Sequence, residues 1–411
     1  MDDFRYEDVI ALLRSGKHAP LLGAYFGEEQ YRDLCALANR TPVPRRPGAP
    51  VVYVLPGVMG SKLGRGDGLG ARLLWLNARA IEAGHLGALA HPAKSPLHAV
   101  GVLLGGYLKI RLALELEGFE VRYFAYDWRA DLEASARRLL AQLASDHANN
   151  CTLVAHSMGG LVARVALSLA PARVIGRVIQ LGTPNLGAYT PLQAMRAVYP
   201  TVRKLSALDP HRSTEDLARQ VFLTLSGLYQ MLPSQVPPAT IDLLDVNHWP
   251  SDDLRAHPAE LARAREVRKL LAPADERAFC ICGVSQETIT GVRVTADGFE
   301  YTYTRNGDGT VPTAMSGWEN APTWYASANH GALTIDKTVI AATTELLIAS
   351  DCKTLPSQAP PVSTEITRVV TDKELRARAL RKVRWDELPI AARRSILEPV
   401  MMEEFLEPKS S

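Results

Sequence analysis

Short, mostly apolar runs recur along this chain: VVYVL from Val51, FEVRYFAY from Phe119, CTLVA from Cys151, VIGRVIQL from Val174, AFCICGV from Ala278 and TWYAS from Thr323. A strand with one wet face alternates apolar and polar residues. A strand covered on both faces has no reason to alternate. Helix-spaced patterns lie between several of these runs. The clearest spans Asp131 to His147, with apolar residues at Leu132, Ala136, Leu139, Leu140 and Leu143. Buried strands alternating with helices predict an α/β fold, a mostly parallel sheet flanked by helices. The chain has 411 residues, 47% of them hydrophobic and 22% charged, which suits a globular core carrying insertions.

Two stretches interrupt the alternation. Residues 62–100 are rich in glycine, leucine and histidine, and residues 184–275 hold several helical patterns between two strand candidates. Insertions between core strands commonly form lids and caps, so the first reads as a lid and the second as a helical cap. The expected organisation is an N-terminal helical extension at 1–48, the core with its lid and cap at 49–350, and a linker with a C-terminal helical extension at 351–411. Within the last, TDKELRARALRKVRW reads as a charged, solvated helix packed on the domain.

A formal charge of +2 gives no reason to expect a nucleic-acid partner. No window is apolar for long enough to cross a membrane as a helix. The acidic start MDDFRYEDV lacks the basic and apolar regions of a secretory signal, so a cytoplasmic location is expected. The five cysteines are scattered, as suits reduced thiols. Cys280 and Cys282, two apart on a strand, should pack on one face. No metal or cofactor is expected.

The stretch TLVAHSMGGLVAR, Thr152 to Arg164, passes from strand to helix with Ser157 at the corner. A tight strand-to-helix turn lifts the corner side chain out of the sheet and needs small residues two positions either side. Ala155 and Gly159 meet that need. Ser157 is the candidate nucleophile. A serine hydroxyl needs a base, and the base needs an orienting acid. In this fold class the order is Ser, then acid, then His. His330, in SANHGAL after the TWYAS run, is the candidate base, and Asp308, in RNGDGTVP, the candidate acid. His156 beside the nucleophile is assigned a structural role. The oxyanion hole needs two backbone donors. One is the N–H of Met158. The other is that of Val58 or Met59, in the turn LPGVMGSKL after the first strand.

The ordered set VLPGVMGSKL, LLWLN, YDWR, AHSMGG, LGTPN, LYQMLP, GDGTVP and NHGAL resembles the lecithin:cholesterol acyltransferase family of α/β-hydrolases, which includes the lysosomal phospholipase A2. The resemblance runs from about residue 50 to about residue 345. It implies the α/β-hydrolase fold, the Ser157, Asp308 and His330 triad, and Val58 with Met158 as oxyanion donors. It also implies that Trp75 lies in a mobile lid, that Thr183 and Pro184 open the cap, and that Asp127 and Trp128 brace the pocket edge. Two departures matter. No cysteine lies between Cys35 and Cys151, so the lid disulfide of the animal enzymes is absent. Val58 stands where the lysosomal enzyme carries an acid, which favours a neutral or mildly alkaline optimum because the base must be unprotonated.

The expected function is a serine esterase or lipase acting on apolar or lipid-like esters through an acyl-enzyme on Ser157. Met59, Trp75, Tyr229, Met231 and Leu232 are the expected pocket and lid residues. An acyltransferase passing the acyl group to an alcohol or lipid is the alternative, and a non-catalytic lipid-binding protein the third reading. The expected partner is the ester or lipid substrate, with transient contact at a lipid interface; the oligomeric state is not legible.

Overall fold

The computed structural model describes residues 6–45, 47–66, 72–92, 97–234, 241–378, 380–389 and 392–393. The strands among them are β1 (Val52–Leu55), β2 (Ser61–Arg65), β3 (Arg72–Trp75), β4 (His98–Val102), β5 (Val121–Tyr123), β6 (Cys151–His156), β7 (Ile175–Leu181), β8 (Ala278–Gly283), β9 (Thr288–Thr295), β10 (Gly298–Thr304), β11 (Thr323–Ala326) and β12 (Arg368–Thr371).

Six of them form one sheet in the order β11-β8-β7-β6-β1-β5, and every pair is parallel. Both faces are covered, which explains the unbroken apolar runs. The period of two still sorts the side chains. Tyr53, Leu55, Leu153, Ala155, Val178, Cys280 and Cys282 enter the core built with the helices Leu132–Ser145 and Met158–Leu169. Val52, Val54, Val154, Ile179, Leu181, Phe279 and Ile281 enter the opposite core, against the helices Leu104–Leu116 and Lys337–Ala349. Cys280 and Cys282 thus share a face. The N-terminal helices Tyr6–Ser15, Ala19–Phe26 and Glu28–Ala38 pack into that second core through Val9, Leu13, Leu22, Phe26 and Leu34.

The chain leaves β1 for β5 at one edge, then returns to β6 on the other side of β1 and continues outward. Strand order reverses at the β1–β6 pair, so the loops after these two strands diverge and leave a crevice. Both the Pro56–Gly60 turn and Ser157 sit there.

Residues 61–102 include a second, antiparallel sheet in the order β3-β2-β4. A third, β12-β10-β9, is also antiparallel. It departs from the sequence reading of the C-terminal segment as one charged helix. Arg368–Thr371 pairs with β10, and the helix that follows is only Asp372–Ala377. Thr371 and Glu374 form a reciprocal capping box that starts it. Asp372 is fully buried and accepts from Arg196 Nε at 2.8 Å, Tyr301 Oη at 2.7 Å and Phe299 N at 3.1 Å. A charge buried this deeply is held by its partners. They hold the segment on the domain, where it was expected to pack, but through a buried carboxylate and a strand pairing and not as one long charged helix.

Candidate active site

β6 is buried along its whole length and ends at His156; the next residue, Ser157, starts the turn into the helix Met158–Leu169. Ser157 has φ 53° and ψ −126°, a strained conformation for a residue with a Cβ, kept only where the surroundings impose it. Here they do. Ser157 N donates to Leu181 O on β7 at 2.9 Å, and Gly160 N donates to Ser157 O at 2.9 Å. A Cβ on Gly159 would stand 2.6 Å from Pro56 O, so only glycine lets the helix start this close to the end of β1. A Cβ on Gly57 would stand 2.9 Å from the Ser157 Cβ; the turn after β1 lies directly against the serine.

Asp308 is carried to the end of β8 by the β9–β10 hairpin. It is fully buried, and a Cβ on Gly283 would reach to 2.5 Å from its Cβ. Its Oδ1 accepts from Thr310 N at 3.0 Å and Val311 N at 2.7 Å, and its Oδ2 lies 2.7 Å from His330 Nδ1. His330, after β11, also donates its backbone N–H to Asp308 O at 2.7 Å. The carboxylate only accepts, so Nδ1 carries the imidazole proton and Nε2 keeps the basic lone pair. Ser157 and His330 are 5% and 4% exposed and line one cavity, with Asp308 behind the histidine.

His156 is tied at both ring nitrogens, to the Tyr107 hydroxyl at 2.9 Å and to His330 O at 3.0 Å. Burial, helped by the neighbouring His330, pushes its pKa down to about 3, so the ring is neutral at working pH.

The Pro56–Ser61 turn is held by aromatic side chains. Tyr126 Oη donates to Pro56 O at 2.8 Å, Trp75 Nε1 to Met59 O at 2.8 Å and Trp128 Nε1 to Ser61 O at 3.1 Å; Gly57 N donates to the Tyr107 hydroxyl at 2.8 Å. Among the described residues the Val58 N–H donates to no protein group. Met158 is the first residue of its helix, where the N–H has no partner within the helix. Trp75 and Trp128 meet edge to face, with centroids 5.2 Å apart. In YDWR, Asp127 forks onto Arg129 at 2.8 and 2.7 Å, and Arg129 also reaches Leu89 O and Leu97 O in the insertion.

The cavity holds about 80 Å³ and is walled by Val58, Met59, Pro184, Ala188, Pro191, Ala194, Tyr199, Leu228, Met231, Thr310 and Val311 around Ser157 and His330. Of the residues read as pocket and lid, Met59 and Met231 stand on this wall. The other three do not. Trp75 is fully buried beneath the turn, where its indole N–H holds Met59 O. Tyr229 and Leu232 are buried in the cap interior, the tyrosine donating to Leu223 O at 2.9 Å. Pro184, within LGTPN, and Ala188, Pro191 and Ala194, just past it, supply the wall instead. Tyr107 was also missed. It lies in an ordinary apolar helical run, LGGYLKIRLALEL, with no local signal except the paired glycines before it.

Among the described residues no cluster of three or more His, Cys, Asp or Glu side chains is arranged to hold a metal ion. None of the described helices is long and apolar enough to cross a membrane.

A parallel sheet with the serine elbow at its centre, followed in chain order by an acid and a histidine on later loops, defines the α/β-hydrolase fold. Within that fold, residues 116–261 match the family model of lecithin:cholesterol acyltransferase, the family the motifs resemble. This supports an enzyme that cleaves acyl esters or transfers acyl groups. No curated protein matches the chain. Among solved structures, the Tle4–Tli4 complex is similar at 13% identity and TM-score 0.46, over 76% of this chain and 100% of that one. The lipase BlEst2 of Bacillus licheniformis in its mature form is similar at 13% identity and TM-score 0.33, over 75% and 96%. The Vlm2 thioesterase domain is similar at 12% identity and TM-score 0.30, over 74% and 94%. Likenesses of this size say nothing about substrate.

Proposed function

We propose that this chain is a serine esterase or lipase whose acyl-enzyme forms on Ser157. Ser157 Oγ attacks the ester carbonyl carbon as its proton passes to His330 Nε2. The oxyanion is received by the N–H groups of Val58 and Met158. The tetrahedral intermediate then expels the alcohol, which takes the proton from His330. Water, activated by the same histidine, cleaves the acyl-enzyme and frees the acid. Asp308 keeps the proton on Nδ1 throughout and stabilises the imidazolium. The buried 2.7 Å bond between Asp308 and His330, beside a serine in a strained elbow, carries this reading.

The cavity wall is mostly apolar, which suits an acyl chain better than a charged group. At about 80 Å³ it is small enough to suit a short acyl group, and a long lipid chain would extend beyond it. Transfer to an alcohol is the second reading. It is favoured by the nearly complete burial of Ser157 and His330, which limits competition from water. The test is hydrolysis of p-nitrophenyl esters from acetate to palmitate by wild type and Ser157→Ala, with and without an added alcohol. Turnover by wild type only, best for short chains, is expected. Equal turnover by Ser157→Ala would remove the serine from the mechanism.

A further inference from the structure

His156 takes no step in the reaction above, yet both its ring nitrogens are committed. Nε2 lies 3.0 Å from the backbone oxygen of His330. A carbonyl oxygen can only accept, so Nε2 carries the proton. On the neutral ring Nδ1 then has a lone pair, and the Tyr107 hydroxyl 2.9 Å away donates to it. The same hydroxyl oxygen accepts the Gly57 N–H at 2.8 Å. The bonds form one directed chain: Gly57 N–H to Tyr107 Oη, Tyr107 O–H to His156 Nδ1, His156 Nε2–H to His330 O. At one end is the turn that bears the Val58 N–H. At the other is the loop that bears the base.

Tyr107 is itself fixed from two sides. It lies in the first turn of the helix Leu104–Leu116, where Gly105 O accepts from Gln30 Nε2 at 2.7 Å and Gly106 O from Thr334 Oγ1 at 2.6 Å. Gln30 belongs to the N-terminal helix Glu28–Ala38, and Thr334 to the short helical turn His330–Thr334 that starts at the base. The hydroxyl is therefore a fixed point against which both loops are set.

We propose that Tyr107 and His156 are positioning residues that hold the oxyanion turn and the base loop in register across Ser157. The inference rests on the serine-esterase reading. Oxyanion donors act at about 2.7–3.1 Å from the developing charge, and a displacement of about 1 Å costs on the order of 100-fold in rate. Tyr107→Phe keeps the ring and its packing but leaves the Gly57 N–H without its acceptor and His156 Nδ1 without its donor.

The experiment measures kcat and KM on a short-chain p-nitrophenyl ester for wild type, Ser157→Ala, Tyr107→Phe, His156→Leu and His156→Gln, with ¹⁵N NMR of the histidine rings in the wild type. Tyr107→Phe and His156→Leu are expected to lose about 10- to 100-fold in kcat with KM changed less than about threefold. His156→Gln, which keeps one acceptor and one donor, should recover part of that loss. His156 should appear as the neutral Nε2–H tautomer. Wild-type kcat in Tyr107→Phe beside an inactive Ser157→Ala overturns the positioning role and leaves the esterase reading standing. An active Ser157→Ala overturns that reading itself. Should the variants fail to fold, the wild-type spectrum decides, since a charged or Nδ1–H His156 contradicts the chain.

Discussion

Asp308→Asn separates two outcomes that the hydrogen bonds around this residue set against each other. Oδ1 accepts two backbone N–H groups, from Thr310 and Val311, while Oδ2 faces one donor, His330 Nδ1. An asparagine has one acceptor and one donating NH2. With its oxygen in the place of Oδ1, both backbone bonds survive and the NH2 faces His330. The imidazole must then accept at Nδ1 and move its proton to Nε2, where it cannot take the Ser157 proton. With the amide flipped, the histidine keeps its tautomer, but two buried N–H groups lose their acceptor. Each buried, unmet N–H costs about 1–3 kcal/mol, so about 2–6 kcal/mol together, against one bond on the histidine side. The first arrangement wins, and the enzyme is trapped in the wrong tautomer. The expected loss in kcat is about 10⁴-fold, or about 5.4 kcal/mol at about 1.36 kcal/mol per tenfold, with KM little changed and unfolding still cooperative. Steady-state ester hydrolysis at neutral pH, with thermal unfolding as the control, makes the measurement. An Asp308→Asn variant within tenfold of wild type would refute the assignment of the acid.

Three further outcomes follow from particular contacts. The His156 ring stays neutral down to about pH 3 in the folded protein, whereas an unfolded histidine takes up a proton near pH 6.5. Between these values the unfolded chain holds the extra proton, so stability is lost as pH falls below about 6.5, at up to about 1.4 kcal/mol per pH unit from this residue. Urea unfolding at pH 7, 6 and 5 should show a flatter dependence for His156→Gln, and identical slopes would contradict the buried neutral ring. Ala194→Leu places a larger side chain on the cavity wall and should lower kcat/KM for butyrate more than for acetate; an unchanged ratio would place the acyl group elsewhere. Asp372→Ala leaves the Tyr301 hydroxyl and one side of the buried Arg196 without a partner and should cost about 3–5 kcal/mol in urea unfolding. A loss under about 1 kcal/mol would show that this segment does not hold the domain.

The central sheet was legible because strands buried on both faces need no polar residues, and VVYVL, CTLVA and AFCICGV have almost none. The β9–β10 hairpin was not read, although TITGVRVT and FEYTYT alternate on either side of Ala296-Asp297-Gly298, the pattern and turn chemistry of a hairpin. β12 was hidden for another reason. Its partner lies far back in the chain, and nothing local to RVVT fixes a pairing set by tertiary contact. The site divides the same way. Ser157, Asp308 and His330 lie in short glycine-marked motifs whose backbone needs are local, so their loops could be found. The cavity wall is tertiary. The lid role of Trp75 came only with the family resemblance, since a tryptophan there can face a pocket or a core equally well; its burial, with the indole N–H on Met59 O, places it in the core. Tyr107 and His156 matter only through each other and through Gly57 and His330, a relation that no spacing in the sequence records.

The most direct test of the serine mechanism is covalent labelling with a fluorophosphonate ester, followed by peptide mass mapping of wild type and Ser157→Ala. One adduct per chain, on the peptide that contains Ser157 and absent from Ser157→Ala, is the expected result. Labelling at another residue, or persistence of the adduct in Ser157→Ala, would contradict an acyl-enzyme on Ser157.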